Sequence, residues 1–184
     1  MYLEKYMQFI LMFFVSVLAV SVVTAVTNKK IAILTNNQPL AEVRTMSELD
    51  RDLKCLTKNV YYEAANEPAE GKIAVAQVTV NRVRDGNFGK DICAVVNAKN
   101  VVLDRVVCQF SWLCDGSEKL RGIRKDLWEE SERAAKKVIL EGFKLPSLEY
   151  ALYFHATYVN PQWKNKEKVA TIGNHIFYQP QGSQ

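Results

Sequence analysis

One carboxylate stands where its surroundings could give it unusual chemistry. Leu49, Leu53, Leu56 and Val60 recur at the spacing of one buried helix face, and the next places on that face fall at Glu63 and Ala64 in the run YYEAANEPAEG. A carboxyl near a helix C-terminus feels the negative end of the dipole, and apolar neighbours disfavour its ionised form. Both effects raise its pKa towards the range where it can hold and deliver a proton near neutral pH. Cleavage of a glycosidic bond needs such an acid, because the leaving oxygen must be protonated as the sugar becomes oxocarbenium-like. The plainer alternative is that the stripe drifts and leaves Glu63 exposed at a frayed helix end; periodicity leaves both open.

A hydrolase of the usual kind also needs a second carboxylate. Glu67, Glu70, Asp85 and Asp115 are available, but context singles out none, and Glu67 and Glu70 flank a proline turn where they read as caps of the next helix. In CQFSWLC, Gln109 and Ser111 can hydrogen-bond sugar hydroxyls or acetamido groups. Phe110 and Trp112 can stack on a pyranose, or else be core between the cysteines. YFHATYVNPQW offers Tyr153, His155, Tyr158 and Asn160, polar tips on apolar bodies. Strand alternation puts Tyr153 and His155 on one face and Phe154 on the other. His175 reads as a structural hydrogen-bonder or a ligand contact, and Asn81 and Arg82 as ties from a helix to loops. Ser111 has no His or Asp at a nucleophile-triad spacing. The four cysteines, Cys55, Cys93, Cys108 and Cys114, form no CxxC pair, so a zinc site would have to recruit the distant His155 and His175. The expectation is no cofactor, and disulfides or buried thiols from an oxidising compartment. One bridge is expected among Cys93, Cys108 and Cys114, with Cys55 near the apolar helix face.

The elements that must position these residues follow from local signals. Residues 7–26 carry no charge over a length that can cross a bilayer, and VTA at 23–25 has signal-peptidase spacing. Residues 1–26 therefore read as a signal peptide or signal anchor, although the lysines of TNKK just beyond run against the positive-inside preference. Residues 27–46 read as a tether. From Ser47, a cap with Asp50 behind it, a helix runs to about Ala65 and stops before Pro68. A second helix ends at Asp85-Gly86, residues 86–122 look irregular, and KDLWEESERAAKKVILEG is an amphipathic helix closed by Gly142. Two β-like runs follow at 150–155 and 170–178. The 184 residues, with a net charge of +4 and interspersed signs, suit a single mainly α (α+β) domain over 47–180 and no nucleic-acid surface.

NVYYEAANEPAEGKIAVAQVTVNRV, CQFSWLCDG, YFHATYVNPQW and IGNHIFY together resemble the cell wall hydrolases of the spore-cortex-lytic (SleB-type) family, in order from about Cys55 to Tyr178. The chain departs from that pattern at Asn66, where an arginine is common, and at AQVTV in place of AAVVL. The resemblance implies a lysozyme-like, lytic-transglycosylase-like fold and peptidoglycan as partner, cut between N-acetylmuramic acid and N-acetylglucosamine, with Glu63 as general acid. In lytic transglycosylases the muramic acid's own C6 hydroxyl attacks, so one carboxylate suffices. The reading that results is an exported, monomeric murein-cleaving enzyme, periplasmic or on the cell surface, held to a membrane through 7–26 if the anchor is retained. A hydrolytic muramidase and a non-catalytic peptidoglycan-binding module are the alternatives, with a zinc amidase behind them.

Overall fold

The computed structural model describes residues 45–120 and 122–183, together with the helical positions Met7, Met12, Val17, Ser21 and Thr24 of a separate N-terminal unit, Met1–Arg44. The expected signal or anchor segment and most of the tether lie outside the described residues. Among the described residues no helix is long and apolar enough to cross a membrane.

In the unit that starts at Thr45, helix α1 spans Met46–Ala64 and α2 spans Ala69–Asp85. The cap of α1 is Thr45 and not Ser47. Its hydroxyl accepts from the Glu48 N–H at 3.2 Å while the Glu48 carboxylate accepts from the Thr45 N–H at 2.8 Å. The same reciprocal chemistry was available two residues upstream of the expected position. Helix α2 ends as its sequence predicts, on Gly86 at φ 82°, a left-handed turn that glycine takes without strain.

The stretch 86–122 is more ordered than its composition predicts. It holds a short helix α3, Ile92–Val96, an antiparallel hairpin of β1, Lys99–Val102, with β2, Arg105–Cys108, a 3₁₀ turn at Ser111–Leu113 and a one-turn helix α4, Ser117–Leu120. Cysteine pairing differs from expectation in one respect. Cys55 lies against the apolar core as expected, but a second bridge joins it to Cys93, tying α1 to α3. Cys108 pairs with Cys114 across the base of the hairpin.

Helix α5, Lys125–Ile139, packs on α1 and α2 with Ser131, Ala134, Ala135 and Val138 buried. Small residues at these places let three helices approach closely around Leu56, Val60, Ala64, Val75 and Ala76. A three-stranded antiparallel sheet of order β3-β5-β4 closes the unit: β3 Tyr153–Ala156, β4 Lys166–Ile172, β5 His175–Pro180. The run 170–178, read from sequence as one strand, is two strands meeting at Gly173-Asn174. A second apolar cluster, with Phe177 and Leu148 fully buried, seats this sheet on α2 through Ala74 and Val78.

Candidate active site

Glu63 lies in the last turn of α1, and its neighbours on that helix are each fastened. One turn earlier the buried Asn59 donates to Thr79 Oγ1 at 3.1 Å and accepts from Trp112 Nε1 at 3.3 Å, locking α1 to α2 and to the 3₁₀ turn. Tyr61 Oη accepts from the Arg124 N–H at 3.0 Å, at the start of α5. The Tyr62 ring stacks on Trp112 with centroids 4.7 Å apart. The helix end carrying the carboxylate is therefore fixed by three separate elements.

Glu63 itself is half-buried, enclosed enough that loss of water dominates its ionisation. Burial raises its pKa from 4.5 to about 7, the Arg82 guanidinium opposes that rise, and the Asp115 carboxylate adds to it. Arg82, in the last turn of α2, is buried. Its Nε donates to the Leu152 carbonyl at 2.7 Å, and its guanidinium lies 5.2, 5.3 and 5.9 Å from the rings of Phe88, Phe110 and Phe154. Enclosure by three rings lowers its pKa to about 10, with Glu63 and Tyr153 holding it up, so it remains a cation at neutral pH. A proton-holding acid, a desolvated cation and a second carboxylate are thus electrostatically joined at one place. From sequence Arg82 was a structural tie; it is that, and also the charge that Glu63 feels most after desolvation.

The β3-β5-β4 sheet turns one aromatic face outward. Tyr153 and His155 share it, as alternation predicts, and are joined by Tyr178 of β5 and by Trp163. Trp163 is 42 % exposed and its ring lies 5.4–5.9 Å from the rings of those three residues. His155 Nδ1 donates to the Ala156 carbonyl at 2.9 Å, so a neutral ring accepts from Tyr178 Oη at Nε2, 3.0 Å away. Phe154 points the other way, onto His175 and Phe177. Sequence reasoning missed Trp163 and Tyr178. Neither has a local signal, and only the register Tyr153↔Tyr178 brings the latter to this face.

Other expected contacts fall elsewhere. Phe110 and Trp112 are each 3 % exposed and belong to the core, the packing alternative, so neither presents a face to a sugar. Gln109 is half-buried with its N–H bound to the Ala98 carbonyl, and Ser111 is exposed at the start of the 3₁₀ turn. Tyr158, 88 % exposed, and Asn160 sit beyond β3 without joining the aromatic group. His175 is buried, and desolvation lowers its pKa against the pull of Glu67. Asn81 donates to the carbonyls of Leu148 and Ala151, the expected tie from helix to loop.

Glu67 is not a helix cap. Its carboxylate accepts from the Asn174 backbone N–H at 2.8 Å and side-chain amide at 3.1 Å, pinning the β4–β5 turn to the α1–α2 corner. All four cysteines are spent in disulfides, so none is free as a metal-ligating thiolate. A groove of about 750 Å³ between Pro68, Lys72, Arg133 and Lys137 does not include Glu63. What marks the site is charge and ring placement.

Residues 66–178, starting just past Glu63, match the family described as Cell Wall Hydrolase. The chain is 25% identical over 131 residues to a spore cortex-lytic enzyme of Bacillus subtilis, covering 70% of this chain and 37% of that protein. It is 26% identical over 129 residues to one of Oceanobacillus iheyensis, covering 68% and 41%. The match thus spans about two fifths of the length of these relatives. Among solved structures, the catalytic domain of the Bacillus cereus SleB protein superposes with a TM-score of 0.55 at 25% identity, over 71% of this chain and 91% of that domain. With a family match over more than half its length, the chain belongs to the cell wall hydrolase family.

Proposed function

We propose that this chain cleaves the glycan strands of peptidoglycan between N-acetylmuramic acid and N-acetylglucosamine, as a lytic transglycosylase with Glu63 as its acid and then its base. The observation that carries the proposal is the placement of Glu63, a half-buried carboxyl in the last turn of α1 that loss of water pushes up to about 7. Protonated Glu63 delivers its proton to the glycosidic oxygen as the C1–O bond breaks. The muramic acid C6 hydroxyl then bonds to C1, and its proton returns to the Glu63 carboxylate. Arg82 balances the charge on Glu63 between these steps. Tyr153, His155, Tyr178 and Trp163 supply a ring-rich face of the kind a pyranose stacks on, with Gln109, Ser111, Tyr158 and Asn160 within the expected binding set. The body acts outside the cytoplasm, as a monomer, with or without a retained anchor at residues 7–26.

A hydrolytic muramidase is the second reading, favoured by Asp115, whose charge reaches Glu63. The two are separated by mass spectrometry of muropeptides released from purified peptidoglycan by the protein and by its Glu63→Gln variant. Anhydro-muramic ends, one water lighter than reducing ends and lost in the variant, are the expected result. Reducing ends identify the muramidase. Binding to the wall without products, by the unsubstituted protein, identifies a non-catalytic module and defeats both.

A further inference from the structure

The β1–β2 hairpin has no buried face. Opposed residues in an antiparallel pair project to the same side, so the register Val101↔Val106 and Lys99↔Cys108 defines one face and Val102↔Arg105 and Asn100↔Val107 the other. Each face therefore carries two valines and one cation. Val101, Val106 and Val102 are all more than half exposed, Val107 nearly so, and Leu103 at the tip is 92 % exposed. The two-residue turn, Leu103-Asp104, has φ of 48° and 60°, a conformation that asparagine and glycine adopt readily and a leucine does not. An isolated two-stranded ribbon is marginal in water, yet this one is held upright by the Cys108–Cys114 bridge and by the Gln109 N–H on the Ala98 carbonyl at its base. The sequence thus places five exposed apolar side chains on a braced protrusion where turn chemistry asks for polar ones.

We propose that this hairpin inserts shallowly into a lipid bilayer surface that carries anionic headgroups. A rigid protein surface covers one face of a ribbon and leaves the other in water, whereas a fluid apolar medium covers both. Arg105 beside the turn and Lys99 at the base, one on each face, give both sides of the ribbon a cation for anionic headgroups, at two depths. The unpaired outer edges of both strands and the acid at Asp104 are tolerated only at interfacial depth, which limits insertion to the tip. The proposal is independent of the catalytic reading of Glu63.

The test uses the full-length chain with Leu103→Trp, mixed with vesicles of phosphatidylcholine and phosphatidylglycerol and read against the unsubstituted protein with its native Trp112, Trp128 and Trp163. The introduced tryptophan is expected to shift its emission to the blue and to lose most of it when the acyl chains are brominated. Adding Val101→Asn and Val107→Asn is expected to abolish both effects. Val106→Trp provides a second reporter should Leu103→Trp fail to fold. Water-like, unquenched emission from a folded reporter overturns the proposal. So does a blue shift insensitive to bromination, which would mean that a protein, such as a second copy of the chain, covers the hairpin.

Discussion

At the scale of single residues, the chemistry turns on where Glu63 holds its proton. Its acid form is the one that starts the proposed reaction, so kcat/KM is expected to fall as pH rises through about 7. Asp115 raises that value and Arg82 lowers it. Asp115→Asn should therefore move the basic limb to lower pH, and Arg82→Gln should move it to higher pH, both read from the pH–rate profile. An Asp115→Asn variant that instead loses activity at every pH identifies Asp115 as a water-activating base. Glu63→Gln is expected to lower turnover by about 10³-fold, within the range of a single general acid. The same substitution should stabilise the fold in alkali. The native state binds the Glu63 proton more tightly than the unfolded chain, so stability declines as pH rises from 4.5 to about 7, and the full penalty persists above that. Glutamine escapes it, worth about 1–3 kcal/mol at pH 8 after allowance for solvent contact, and absent at pH 4. Chemical denaturation at the two pH values measures the difference.

At the scale of elements, the joint between the α1–α2 corner and the β4–β5 turn orients the aromatic sheet relative to the helices. Gly173 sits at φ +56°, and a methyl group there would collide with Glu67 Oε2. Gly173→Ala therefore faces both an unfavourable backbone and a clash, and should destabilise by about 2–4 kcal/mol in urea titration. Glu67→Ala removes the charged acceptor of two part-buried bonds, from the Asn174 N–H and its side-chain amide, at about 1–3 kcal/mol. The clash disappears in the double variant, so the two losses should sum to more than the double variant shows, by about 1 kcal/mol. This joint also shows where reading a sequence stops. Gly86, Pro68 and the inner face of α5 were legible because their signals are local: a left-handed cap, a helix-incompatible imide, a 3.6-residue period. Glu63 was legible because it interrupts such a period. Glu67 bonds a residue 107 positions away, and Arg82 one 70 positions away, and no periodicity carries that information. Phe110 and Trp112 were ambiguous for a related reason, since an aromatic beside polar residues has the same local signature in a core as on a sugar-binding face.

At the scale of the whole molecule, the two disulfides divide the task of holding the site. Cys55–Cys93 ties α1, which carries Glu63, to α3 across a separation of 38 residues, whereas Cys108–Cys114 closes a separation of 6. In the chain-entropy picture the longer loop constrains the unfolded chain more, by about 4 kcal/mol against about 2 for the shorter. Cys55→Ser/Cys93→Ser should accordingly lower the denaturation midpoint further than Cys108→Ser/Cys114→Ser, and reducing agent should add little to the loss in a variant lacking both bridges. The two pairs should also separate by function. Loss of Cys55–Cys93 frees one side of the helix that presents Glu63, so its residual activity should decline in step with folded fraction. Loss of Cys108–Cys114 releases the base of the exposed hairpin, while Trp112, between those cysteines but buried in the core, keeps its contacts with Asn59 and Tyr62, and Tyr61 keeps its bond to Arg124 outside the loop. Cleavage of soluble glycan strands by the folded Cys108→Ser/Cys114→Ser protein should then stay within about twofold of the unsubstituted chain, because so small a change corresponds to less than 0.5 kcal/mol in the barrier. A tenfold loss at full folding would instead place the hairpin base in the machinery of the site.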